Sequence, residues 1–195
     1  MVMMRSDEAA GVVMVWQRLA TNVVHKSRIP WFEVHTDDVV APDGGHCTYS
    51  HVVAPGSVTV LALQDDDHVV LTRQWIYTHG GTEWRLPGGA VDDTDPDPLA
   101  AARRELAEET GLSAEKWEQL GEIHGADALS NHVDHIFLAT GLTQGEPDLG
   151  PGEADLRVRT LPFHHALDLV QRGMLPHAGS SHALLVMALR RTVQK

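Results

Sequence analysis

The chain has 195 residues, 43% apolar and 22% charged, which suits one sizeable buried core and excludes wholesale disorder. Its formal net charge of −12 argues against a nucleic-acid scaffold or a binder of anionic membranes, since both need a basic surface. The single cysteine, Cys47, excludes an intrachain disulfide, fits a reducing compartment and carries no CxxC or other reactive motif around it.

The apolar run AAGVVMVW, ending at Trp16, is too short to span a membrane and follows acidic Asp7 and Glu8 rather than a basic start. A cytoplasmic protein is expected. The first fifty or so residues read as short strands and turns, with WFEVHTDDVV partly alternating and APDGG a strong turn signal. PGSVTVLALQDDDHVVLTRQWIY then reads as a hairpin, its apolar runs flanking an acidic turn. In RLPGGAV, Pro87-Gly88-Gly89 forbids a regular element and marks a loop that approaches something closely.

A helix is predicted from Pro98, with Asp97 as N-cap and Gly111 just past its end. Leu99, Ala102 and Leu106 form its apolar stripe, and Glu105, Glu108 and Glu109 share a neighbouring face. Further strands are predicted over 132–142 and 154–162. Two helices follow, PFHHALDLVQRG ending at Gly173 and SSHALLVMALRR capped by Ser180 or Ser181. The order is that of a mixed α/β domain.

Like charges at i, i+3 and i+4 repel, so the glutamate row needs compensation. Clustered carboxylates beside a glycine-rich loop suit a hard divalent cation such as Mg2+, held together with substrate phosphates. A merely solvated acidic face is the plainer alternative.

The segment LPGGAVDDTDPDPLAAARRELAEETGL resembles the Nudix box, G-x5-E-x7-R-E-U-x-E-E-x-G-U, where U is aliphatic. Arg104, Glu105, Leu106, Glu108, Glu109, Gly111 and Leu112 match its second half in full. The first half departs from the pattern. Counted from Gly89, Arg104 lies one residue too far along, and Asp95 is the acid nearest the place of the mid-loop glutamate.

The resemblance implies a Nudix-type α/β/α sandwich with a mixed β-sheet over residues 55–195, preceded by an N-terminal β-rich segment over 1–54. It implies Glu105, Glu108, Glu109 and the Gly88 carbonyl as metal ligands for Mg2+, with Mn2+ as an alternative. Arg104 would orient the glutamates, and the reaction would be hydrolysis of a diphosphate linkage.

Outside the box, PWFEVHTDDVVAPDGG and VVLTRQWIY…EWRLPGG are similar to the ADP-ribose pyrophosphatase branch. That similarity implies a homodimer exchanging its N-terminal segment and hydrolysis of ADP-ribose to AMP and ribose 5-phosphate. Trp31 would stack on the base, with Trp16 a poorer candidate, and the Arg73-Gln74 pair would contact the substrate. The general base would come from the loop TQGEPDLGPGEADLRV. Glu153 is the first candidate there, with Asp155 or Glu146 as substitutes, or else Glu108 or Glu109 from the helix. Two positions depart from the branch, which commonly reads RQYR and ELP: Ile76 and Arg85 stand at those places.

Rival readings are a nucleotide-sugar hydrolase, a nucleoside triphosphate pyrophosphohydrolase, and a non-catalytic sensor of ADP-ribose-like ligands. Zinc at His132, Asp134 and His135 is disfavoured, because His135 would face away from the other two on a strand and no HExxH or Cys/His set accompanies them.

Overall fold

The computed structural model describes residues 15–193. The apolar run before Trp16 lies, except for Val15, outside those residues, as does the start of the N-terminal segment. Residues up to Val53 together with Ala128–Ser130 form one compact unit, and Ala54–Asp127 with the chain from Asn131 onward forms a second.

The first unit is an antiparallel sheet of β1 (Gln17–Arg28), β2 (Trp31–Val40) and β3 (His46–Val53), in the order β1-β2-β3. At twelve and ten residues, β1 and β2 are longer than the short strands expected. The predicted APDGG turn closes β2 onto β3. Ala41 N donates to Gly45 O at 2.8 Å, and Gly44 takes the positive φ (84°) that glycine allows without strain. Asp37, only 2% exposed on β2, accepts hydrogen bonds from Arg18 Nε at 2.8 Å and His51 Nε2 at 3.1 Å. Tyr49 Oη and Val52 N donate to the carbonyls of Ala128 and Leu129, both at 2.7 Å, tying that short segment to β3.

The second unit holds two three-stranded sheets. One is mixed: β4 (Ser57–Ala62) runs parallel to β8 (Asp134–Gln144), and β8 runs antiparallel to β7 (Leu112–Ile123). The other is antiparallel, with β5 (His68–Ile76) between β6 (Gly81–Arg85) and β9 (Arg157–Pro162). Helix α1 (Pro98–Thr110) covers one side; α2 (Phe163–Gln171) and α3 (Ala178–Val193) cover the other. Strand alternation explains the two cores. Val58, Val60, Ala62, Phe137 and Ala139 meet Ala101, Ala102 and Leu106 of α1. Leu61 and Ile136 turn to the opposite side, against Ala183 and Leu184 of α3. Strands buried on both faces are apolar at successive positions, which is why VTVLA and VVL look so uniform.

Three expectations change. The hairpin over residues 55–77 does not form as a strand pair. A bridge between Leu63 and Val69 and the bond Gln64 N to His68 O (2.8 Å) close the turn, but β4 then joins β8 while β5 joins β6 and β9. Burying both faces of each strand requires them to part. Strand β7 has no counterpart in the sequence reading, because its EKWEQ centre is polar and mostly exposed. Helix α3 starts at Ala178, before the serines expected to cap it. The Ser180 hydroxyl instead accepts from Leu86 N at 2.8 Å and thereby fixes the end of β6.

Candidate active site

Helix α1 forms as its caps dictate. Asp97 Oδ1 accepts from Ala100 N at 2.8 Å, Pro98 occupies the first helical position, and Gly111 ends the helix with φ 71°. With Ala102 and Leu106 fixed in the core, Glu105 and Glu109 are carried to the neighbouring face, where both are buried.

The Pro87–Gly89 loop lies against that face. Pro87 O and Gly89 O accept from Val60 N (2.8 Å) and Val58 N (2.9 Å) of β4. The Gly88 carbonyl between them accepts no hydrogen bond among the described residues, and Gly88 N donates to Glu109 Oε2 at 3.0 Å. Side chains are excluded here: a Cβ on Gly88 would strike the Val58 carbonyl, and one on Gly89 would strike the Glu105 carboxylate.

Glu153 completes the cluster. It lies on a 3-10 turn between β8 and β9, where Gly150 N donates to its Oε2 at 2.8 Å. Carboxylate oxygens of Glu105, Glu109 and Glu153 lie within 4.8 Å of one another. Burial, with Glu105 and Glu153 adding repulsion, pushes the Glu109 carboxyl up to about 8 against the opposing Gly88 N–H. Burial also raises Glu105, against Arg104. Three converging all-oxygen donors, the two on the helix crowded enough that burial and repulsion oppose their ionisation, fit a hard divalent cation that would offset that repulsion.

Arg104 ties the helix to the loop. Its Nε and Nη2 donate to the two oxygens of Asp95 at 3.2 and 2.8 Å, and Nη2 also donates to Ala90 O at 3.0 Å. Nη1 donates to Glu105 Oε1 at 2.8 Å and Glu108 Oε2 at 3.0 Å. These bonds, Asp95 first, raise the Arg104 guanidinium, and Arg104 holds the Asp95 carboxyl below its usual range. Asp95 is thus the acid by which the loop before the helix holds Arg104.

A family model for the NUDIX domain matches residues 54–181, most of the chain. The protein is a Nudix hydrolase. The chain is 32% identical over 159 residues to an ADP-ribose pyrophosphatase of Mycobacterium tuberculosis, covering 81% of this chain and 76% of that protein. It is 29% identical over 178 residues to the CMP-5'-(N-acetyl-N-hydroxy-3-aminopropyl)phosphonate hydrolase of Streptomyces rubellomurinus, covering 89% and 82%. In fold it is similar to a crystal structure of an ADP compounds hydrolase, with TM-score 0.79, 23% identity, and coverage of 95% of this chain and 98% of that one.

Other sequence candidates of this Nudix hydrolase divide by position. Glu108 is more exposed than Glu105 and Glu109 and is spent on Arg104. Glu146 is exposed, and Asp155 Oδ2 accepts from Trp75 N at 2.8 Å, anchoring the loop that carries Glu153. Arg73 and Gln74 lie on opposite faces of β5; Arg73 is exposed, whereas Gln74 shares its face with Thr72, and with Glu83 and Arg85 across the ladder on β6. Trp31, 49% exposed, begins β2 of the first unit, and Trp16 stacks edge-on against Tyr49 at 5.7 Å.

Asp134 accepts from Ser57 Oγ and Thr59 Oγ1, and His135 bonds Glu122. Sequence reading had no signal for His177, whose Nδ1 meets Ser180 Oγ at 2.9 Å behind the Pro87–Gly89 loop. Nor did it find the second group with metal-ligand spacing, His35, Asp37 and His51, which only the β2–β3 register assembles.

Proposed function

We propose that this Nudix hydrolase cleaves the diphosphate of a nucleoside diphosphate linked to another moiety, with ADP-ribose its substrate. Water then yields AMP and ribose 5-phosphate. The observation that carries the reading is the convergence of Glu105, Glu109 and Glu153 beside the Pro87–Gly89 loop. The named activity of the mycobacterial relative supports the choice of substrate.

Glu105, Glu109 and the Gly88 carbonyl would hold Mg2+ or Mn2+, with Glu108 alongside and Glu153 facing the same space. The cation supplies charge neutralisation at the phosphoryl oxygens and a lowered pKa for bound water. Arg104 and Asp95 hold the carboxylates in place. Glu153 is the general base: its Oε2 is fixed by Gly150 N, which leaves the other oxygen to take a proton from water.

Trp31 serves as the base-stacking platform, and the protein works as a cytoplasmic homodimer joined through its N-terminal sheet. The exposure of Val15, Trp16, Leu19, Val23, Val24 and Trp31 supports that pairing, since apolar surface gathered in one segment favours burial against a partner. No described helix is long and apolar enough to cross a membrane.

A panel of nucleotide diphosphate derivatives with Mg2+ tests the reading. Release of AMP and ribose 5-phosphate from ADP-ribose is expected. Faster release of GMP from GDP-mannose, or of pyrophosphate from a triphosphate, would replace the substrate, and binding of ADP-ribose without turnover would make the protein a sensor.

A further inference from the structure

Arg85 ends β6 immediately before the Pro87–Gly89 loop, on the same face of the ribbon as Thr72 and Gln74. Its side chain is partly buried, and burial lowers its pKa although Glu109 and Glu83 oppose that shift. Neither acid takes a bond from it. Glu109 accepts from Gly88 N, and Glu83 meets His79 Nδ1 at 2.8 Å. None of the arginine ion pairs among the described residues includes Arg85.

Among the described residues its Nε is one of four buried side-chain polar atoms without a hydrogen-bond partner, and two of the others are Thr72 Oγ1 and Gln74 Oε1. Thr72 is directly opposite Arg85 in the β5–β6 register, and Gln74 is the next residue on that face. The unsatisfied atoms are thus gathered on one patch rather than scattered. That patch offers a guanidinium donor, a hydroxyl, and an amide that can turn to present its nitrogen.

Buried polar groups are nearly always hydrogen-bonded, and a half-buried guanidinium with an unbonded nitrogen is costly. An anionic, oxygen-rich ligand satisfies all three and matches the guanidinium charge. Phosphoryl oxygens fit, because the guanidinium fork matches them and the site beside Glu109 is where a diphosphate is cleaved.

We propose that Arg85, with Thr72 and Gln74, binds a phosphoryl oxygen of the substrate's diphosphate directly. The cationic contact is thereby placed on β6, in a chain that has Ile76 where its branch commonly has the arginine of RQYR. The inference rests on the diphosphate reading above. Arg85 acts here as a substrate-binding residue and takes no proton.

Two measurements test it on the full chain. With Mg2+ and ADP-ribose, Arg85→Gln is expected to raise KM roughly ten- to a hundredfold, with Arg85→Lys recovering part of the loss. In EDTA, inorganic pyrophosphate is titrated calorimetrically into wild type and Arg85→Gln. The variant should bind more weakly by a similar factor, with an unchanged melting temperature showing that the fold is kept. Pyrophosphate binding that is absent in wild type, or equal in the variant, overturns the inference even if ADP-ribose is hydrolysed. Conversely, a wild type that hydrolyses nothing in the panel yet binds pyrophosphate through Arg85 overturns the hydrolysis reading alone.

Discussion

Two arginines, Arg104 on the glutamate helix itself and Arg85 at the end of β6, both interact with the site's carboxylates, and they are treated in opposite ways. Around Arg104, in the loop-to-helix region, five donor contacts reach Asp95, Glu105, Glu108 and Ala90. Around Arg85, on the β5–β6 ribbon, the guanidinium has acids near it but no bond to them. A saturated arginine is structural: it fixes carboxylates that would otherwise repel. An unsaturated one beside the same carboxylates is held for something that arrives with the substrate. Local sequence distinguishes the two poorly, since RRE and WRL each show only a cation next to other residues.

The largest expected effect tests whether the carboxylates near these arginines are functional. Glu109→Gln should cut Mg2+-dependent turnover on the order of a thousandfold while the fold persists. An active variant would remove the helix from the chemistry. Next, Glu153→Gln should lower kcat by about a hundredfold or more with little change in KM. A wild-type rate would transfer the base to a helix glutamate.

The third effect is thermodynamic. Glu109 is raised from an ordinary 4.5 to about 8, so between those values the folded state holds a proton that the unfolded state has lost. Metal-free stability is therefore full below about pH 4.5 on this account and declines as pH rises to 8. A fall in melting temperature on the order of 10 °C between pH 5 and pH 8 in EDTA is expected, and Mg2+ should reverse it most strongly at pH 8. A flat profile would mean that Glu109 is ionised without a cation.

The smallest effect separates the arginines themselves. Arg104→Lys loses the fork and should cost about 1–2 kcal/mol, or roughly 2–8 °C in melting temperature. Arg85→Gln should leave the melting temperature unchanged. Equal losses in both would erase the distinction.

Helix α1 was legible because its determinants are local: the Asp97 cap, Pro98, Gly111 and the stripe through Leu106 all act within a few residues. The three carboxylates of the cluster were legible for a different reason, by resemblance to a box and its loop acid. What stayed hidden depends on distant pairing. Strand β7 is written in polar residues because it pairs on one side only, with β8. The separation of β4 from β5 follows from covering both faces with helices, which no hairpin signal encodes. Likewise, Gln74 and Arg73 are adjacent in sequence yet face opposite ways, and only the register with β6 shows that Arg85 belongs with Gln74.

The Asp95 to Arg104 contact has a consequence for how such sites drift. Against the family pattern, the chain between acid and arginine is one residue longer, and the acid is one methylene shorter. The contact is bidentate, at 2.8 and 3.2 Å. In this loop a longer main chain thus serves a shorter side chain, and the carboxylate still spans two nitrogens of the guanidinium fork.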